Sequence, residues 1–135
     1  MQNKSDIFKI LIFFLVILSL IFSYGNFRCK NPDYRDPLMR KLGILDLDGW
    51  SITHFLTYML ITYIFPDYWV LIAVMGVSWE VFEQVLGSSR PGWLGGFGNC
   101  ATTDPNVKEW WFGRLSDIVI NFMGMSIGYY LAKRK

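Results

Sequence analysis

The amino-acid sequence predicts an all-α fold, an integral membrane bundle of four transmembrane helices with a long loop between helices 3 and 4. Hydrophobic residues make up 53% of the 135 residues, which is too apolar for a typical soluble protein of this size. They gather in four segments that polar, Gly- and Pro-containing stretches separate. The formal net charge is only +2 and no long basic face exists, which argues against nucleic acid as a partner. We expect a multi-pass protein of an unspecified membrane.

The N-terminal part of the chain predicts a membrane anchor followed by a polar connector. Residues 7–25, "IFKILIFFLVILSLIFSYG", are long and apolar enough to span a bilayer. Lys4 and Lys9 would also suit the start of a signal peptide, but no small-residue cleavage site follows. The next stretch contains Pro32, Pro37 and charges of both signs, as expected for an exposed connector. The chain would then divide into an anchor and connector at 1–48 and a three-helix membrane core at 49–135.

Three further helices are expected in the core. The second covers residues 49–65, and Asp48 or Ser51 can cap its start. The sequence "PDYW" turns the chain into the third helix, which covers about 67–86 and stops at Gly87. A long loop rich in Gly, Pro and small polar residues leads to the fourth helix, at 115–132. Helices 2 and 3 must therefore be antiparallel neighbours.

Polar side chains of these three helices should meet at one membrane face. With alternating helix directions, the start of helix 2, the end of helix 3 and the start of helix 4 lie at the same face. Each brings polar residues to within one or two turns of that face, namely His54, Glu80, Glu83, Asp117 and Asn121. The two glutamates are three residues apart, and Asp117 and Asn121 are four apart, so each pair shares a helical face.

Glycines continue the same two faces. Gly76 continues the face of Glu80, and Gly124 and Gly128 continue the face of Asn121. Small residues let membrane helices approach closely, so tight packing beneath the polar cluster is expected. The same glycines leave open whether the chain pairs with a second copy, so a homo-oligomer is possible.

Three carboxylates in a low dielectric must be neutralised by protonation or by a cation. We favour a divalent cation held by Glu80, Glu83, Asp117 and Asn121, because Ca²⁺, Mg²⁺ and Mn²⁺ prefer oxygen ligands. His54 is the only histidine and is the natural general base near neutral pH.

Each residue of the cluster also has a simpler interpretation. A lone histidine in a membrane helix often only hydrogen-bonds a neighbour. The two glutamates could lie among solvated lipid head groups. Ser116 or Asp117 could cap helix 4.

The polar stretches hold other candidates. Arg90, Lys108 and Arg114 could pair with a lipid phosphate, whereas surface charge is their simpler role. Trp110 and Trp111 are typical of an interfacial aromatic belt. Cys29 and Cys100 lie in the two longest polar stretches and could form one disulfide if both face an oxidising compartment.

The order of these motifs is similar to that of known membrane enzymes. His54, "WEVFE" at 79–83, "EWW" at 109–111 and the following Asp, Asn and Gly resemble the base-exchange phosphatidylserine synthases. The segment "GRLSDIVINFMG" resembles the VanZ family, which also has the four-residue spacing from Asp117 to Asn121. Both families are grouped in the Lipocone superfamily, and the resemblance covers roughly residues 49–128. Phe112 stands where the synthases have an acid.

The resemblance implies a helical membrane unit that acts on lipid head groups, with Ca²⁺ in the synthases. We expect phospholipid head-group exchange or transfer to a small alcohol such as serine or ethanolamine. His54, Glu80 and Asp117 would be catalytic, and the head group would be held by Glu109, Trp110, Trp111 and Arg114. One alternative is a VanZ-like protein that binds a lipid or glycopeptide without turnover. Another is a small ion or proton transporter, which is disfavoured because the polar groups gather near one face.

Overall fold

The computed structural model describes residues 3–31, 35–43, 47–89 and 113–134, without the side chains of residues 29 and 89. The α-helices in this part of the chain are α1 (Lys4–Lys30), α2 (Gly49–Ile64), α3 (Trp69–Ser89) and α4 (Leu115–Lys133). One-turn 3₁₀ helices cover Pro37–Met39 and Pro66–Tyr68. The only β pairing within the described ranges is an isolated bridge between Lys41 and Asp48. The all-α prediction is confirmed for these residues.

Among the residues that the structure describes, three helical segments are long and apolar enough to cross a membrane. They are Lys4–Arg28, Pro66–Ser88 and Leu115–Lys133, with 25, 23 and 19 residues. The predicted fourth span is not confirmed, because α2 has 16 residues and measures about 24 Å against a hydrocarbon core of about 30 Å. Pro66 explains why α2 ends at Ile64, since proline disfavours helical backbone in the residue before it. The long loop predicted between helices 3 and 4 lies outside the described residues.

The described residues form two compact units. The first contains α1 and the last residues of α3, from Val85 onward, and the second contains residues 35–84 and 113–134. All of α2 and α4 and most of α3 belong to the second unit, which also holds the polar cluster. The predicted division at 1–48 and 49–135 stays a prediction.

Close packing of α4 on α2 organises the second unit. A Cβ atom on Gly124 would collide with the backbone oxygen of Phe55, and one on Gly128 with that of Met59. The predicted close approach is therefore confirmed. The stripe of small residues packs on α2 of the same chain. On α3, Gly76 similarly faces the buried ring of Tyr58.

The starts of α2 and α4 differ in how they are capped. Asp48 is the N-cap of α2 and forms a capping box with Ser51, as the sequence predicted. Arg114 is the N-cap residue of α4 and makes no side-chain cap, and Asp117 lies in the first turn. The alternative in which Ser116 or Asp117 caps this helix is therefore wrong.

A candidate site of one histidine and several carboxylates

His54 joins three helices at the centre of the polar cluster. Its Nδ1 atom lies 3.1 Å from Oδ1 of Asn121 on α4 and 3.3 Å from Oε1 of Glu80 on α3. The side chains of His54 and Glu80 are only 12% and 3% exposed. These contacts confirm that His54, Glu80 and Asn121 meet, which the sequence predicted from their depth along the helices.

The two partners of Nδ1 determine which ring nitrogen carries the proton. Asn121 donates from Nδ2 to Glu80 Oε1 over 3.3 Å, so its Oδ1 is the atom that faces the imidazole. An amide oxygen and a carboxylate oxygen are both acceptors. This arrangement favours a neutral ring with the proton on Nδ1 and the lone pair on Nε2.

The second oxygen of Glu80 contacts the segment that leads into α4. The backbone N–H of Arg114 donates to Oε2 of Glu80 over 3.4 Å. The preceding residue must be small, because a Cβ on Gly113 would collide with the backbone oxygen of Glu80. Both oxygens of the Glu80 carboxylate are thus held by α4 or by the residues just before it.

Asp117 belongs to a neighbouring network that runs back to the start of α2. Its Oδ1 accepts a hydrogen bond from the Ser51 hydroxyl over 3.2 Å. Ser51 also donates its backbone N–H to Oδ1 of Asp48 over 3.2 Å, and Oδ2 of Asp48 pairs with Nη1 of Arg114 at 3.0 Å. Asp117, Ser51 and Asp48 are all buried.

Glu83 completes a group of possible metal ligands. His54, Glu80 and Glu83 each offer one ligand atom, and these atoms lie within 4.8 Å of one another. Asp117 is not part of this group. Glu83 lies one turn beyond Glu80 on α3, and no hydrogen bond between described residues engages its carboxylate.

The cluster has more acidic than basic groups. In the part of the chain that the structure describes, four carboxyl groups belong to it or border it, namely those of Asp48, Glu80, Glu83 and Asp117. Among the described residues, Arg114 is the fixed positive charge that pairs with this set. Buried charges without a partner are costly. Fully ionised, this set would carry a surplus of negative charge, which protonation or a bound cation would offset.

Several predicted residues cannot be placed from this structure. Glu109, Trp110 and Trp111 lie outside the described residues, as do Arg90, Lys108 and Cys100 and the side chain of Cys29. Arg114 is described, and its guanidinium contacts Asp48.

Two residues with contacts in the site were anticipated only as helix caps. Asp48 and Ser51 fit the pattern of a capping box at the start of α2. No sequence signal indicates that the same side chains also bind Arg114 and Asp117, because both partners come from a helix more than sixty residues away.

Comparisons of this chain with protein-family models, curated proteins and solved structures found no match. The similarity to phosphatidylserine synthases and VanZ proteins therefore rests on the motifs quoted above.

Proposed function

We propose that the protein is a membrane enzyme that exchanges or transfers phospholipid head groups at the phosphodiester. The observation that carries the proposal is the position of His54, whose Nδ1 is held between Glu80 and Asn121 from two other helices. A histidine fixed in this way has a lone pair on Nε2 and is oriented by a carboxylate, which is the arrangement of a general base.

The proposed reaction uses Nε2 as a proton shuttle. Nε2 accepts the proton of the incoming alcohol, such as serine or ethanolamine, and the alcohol oxygen forms a new bond to phosphorus. The bond from phosphorus to the outgoing head-group oxygen breaks, and that oxygen takes the proton from Nε2. Glu80 stabilises the imidazolium that exists between these two transfers, because its carboxylate lies 3.3 Å from Nδ1.

Glu80 and Glu83 are the best-placed ligands for a divalent cation. Their carboxylates belong to the group whose ligand atoms lie within 4.8 Å, and oxygen donors suit Ca²⁺, Mg²⁺ or Mn²⁺. Ca²⁺ is the first candidate because of the resemblance to the synthases. A bound cation would polarise the phosphoryl oxygens and offset charge in the transition state. Asp117 and Asn121 stay predicted ligands, and in this conformation they contact Ser51 and His54.

The segment before α4, which the sequence predicts to be a loop, would hold the head group. Glu109, Trp110 and Trp111 keep this predicted role because they precede Arg114 by only a few residues in the sequence. The substrate would come from the bilayer, because α3 and α4 present exposed apolar side chains along their length.

A second candidate function is binding of a lipid or glycopeptide without turnover. It is favoured by the internal hydrogen bonds of Asp48, Ser51 and Asp117, which resemble a structural network that holds helices together. A binding protein needs the pocket but does not need an oriented base.

Head-group exchange in lipid nanodiscs tests the proposal. Protein is incubated with labelled phospholipid and with serine, ethanolamine or choline, in Ca²⁺ or in chelator, and products are identified by mass spectrometry. We expect cation-dependent exchange that His54→Ala and Glu80→Gln abolish. Ser126→Ala is the matched control, because this exposed serine of α4 donates its hydroxyl to the backbone oxygen of Phe122 in its own helix.

Each rival function has its own outcome in this experiment. Turnover that survives in His54→Ala would show that the proposed base is wrong. Saturable lipid binding without any turnover would support the second candidate, and pH-dependent ion flux in liposomes would support a transporter.

A further inference from the structure

We infer that Asp48 is a positioning residue that keeps the Arg114 guanidinium away from the cation ligand Glu83. The inference deepens the proposed function and rests on its cation. It changes the role expected for Arg114, which the sequence indicated as a phosphate-binding residue. The evidence is that the two carboxylate oxygens of Asp48 bind different partners.

Each carboxylate oxygen of Asp48 has a separate task. Oδ1 accepts the backbone N–H of Ser51 over 3.2 Å and so caps α2. Oδ2 accepts from Nη1 of Arg114 over 3.0 Å, and the two side chains are 7% and 14% exposed. The cap fixes Asp48 to a helix end, and the fixed carboxylate then sets the direction of the guanidinium.

Arg114 has other carboxylates within electrostatic reach. Its backbone N–H lies 3.4 Å from Oε2 of Glu80, and Glu80 and Glu83 offer ligand atoms within 4.8 Å of each other, so the guanidinium can reach Glu83. Asp117 already accepts a hydrogen bond from Ser51. Loss of a carboxylate partner is unfavourable for a buried guanidinium. If the charge of Asp48 is removed, Arg114 should turn toward Glu83 and compete with a cation for that carboxylate.

Arg114 also contacts Glu80 through its main chain. Its backbone N–H donates to Oε2 of Glu80, while its side chain points to Asp48. One residue therefore holds Glu80 with its main chain and leaves Glu83 available, provided that Asp48 binds its side chain. A phosphate would then be recognised mainly through the cation and not through Arg114.

Asp48→Asn separates the two tasks, because asparagine is as good an N-cap as aspartate but cannot neutralise a guanidinium. Mn²⁺ affinity of the purified full-length chain in detergent is measured by the electron paramagnetic resonance of free Mn²⁺. We expect Asp48→Asn to weaken binding by about tenfold, as for the loss of one charged contact. Asp48→Asn combined with Arg114→Gln should restore binding to nearly the wild-type value, because the competing charge is gone.

A purely structural role for Asp48 predicts the opposite. The double variant would then bind Mn²⁺ no better than Asp48→Asn, and this result would overturn the inference. Unchanged Mn²⁺ affinity in Asp48→Asn would overturn it as well.

A double-mutant cycle of melting temperatures, measured with a chelator present, tests the same inference without any cation. Glu83→Gln should leave the melting temperature of the wild type nearly unchanged. The same substitution should lower the melting temperature of Asp48→Asn, because Arg114 is expected to pair with Glu83 in that variant. Equal effects in the two backgrounds would refute the inference. A wild type that binds no Mn²⁺ would contradict the cation of the proposed function, and the double-mutant cycle would then decide about Asp48 alone.

Discussion

Two ion pairs at opposite ends of α4 have nearly the same length and very different surroundings. Arg114 and Asp48 are 3.0 Å apart, with side chains 14% and 7% exposed, whereas Lys133 and Asp67 are 3.1 Å apart and 51% and 79% exposed. Water and salt screen the second pair, but the first lies beside the polar cluster. Burial, and not distance, decides how much each pair contributes.

The comparison also separates the two halves of α4. Near its start, the face toward α2 carries Asp117 and Asn121, which hydrogen-bond Ser51 and His54. Farther along, the same face carries Gly124 and Gly128, which bring the two backbones together. The glycine half holds the helices close, and the polar half places side chains for chemistry.

Removing the buried pair should have the largest effect on stability. Asp48→Ala removes the carboxylate that pairs with the Arg114 guanidinium and also removes the cap of α2. We expect the free energy of unfolding to fall by about 3–5 kcal/mol, measured by reversible denaturation in detergent. Asp48→Asn is the matched control that retains the cap. A loss no larger than that of Asp67→Asn would show that burial does not distinguish the two pairs.

Substitution of the α4 glycines that contact α2 should have the next largest effect on the free energy of unfolding. Gly128→Ala places a methyl group against the backbone oxygen of Met59, so the helices must move apart. We expect a loss of about 1–3 kcal/mol in the same denaturation experiment. Ser126→Ala, on an exposed face of α4, should be close to neutral. A neutral Gly128→Ala would mean that α2 and α4 are not in close contact at this point.

Thr62 offers a buried polar group for comparison with the ion pairs. Its hydroxyl is fully buried on α2 and has no hydrogen-bond partner among the described residues. Thr62→Val removes a polar atom that is costly to bury, so stability should rise by roughly 1 kcal/mol without loss of head-group exchange. A destabilised variant would show that the hydroxyl has a partner.

The exposed pair should contribute least. Lys133→Met or Asp67→Asn removes one member of a solvated pair, so the melting temperature should stay within experimental error of the wild type at physiological salt. A clear decrease that high salt abolishes would contradict this expectation.

The sequence predicted the parts of the site that follow from helix periodicity and depth. His54, Glu80 and Asn121 were expected near one membrane face, and they are in contact in the structure. The glycine stripe of α4 was also expected to allow close packing. Its partner was left open, because a stripe of small residues fits a second chain as well as a neighbouring helix.

Contacts that depend on helix ends could not be predicted in the same way. The pairing of Asp48 with Arg114 requires the first residues of α2 and α4 to meet, and no periodic pattern determines how those ends are oriented. The end of α2 was predicted to within one residue, at 65 against the observed Ile64. The segment was nevertheless interpreted as a span, although a bilayer core needs about 20 helical residues. The roles of Glu109, Trp110 and Trp111 stay predictions.

The protonation state of His54 tests the proposed chemistry most directly. Because the chain contains one histidine, ¹⁵N-histidine labelling gives a single imidazole whose two nitrogens can be observed by NMR without assignment. We predict that the neutral ring carries its proton on Nδ1, and that Asn121→Ala or Glu80→Gln reduces this preference. A ring that is protonated on Nε2 in the wild type would contradict the role of Nε2 as general base.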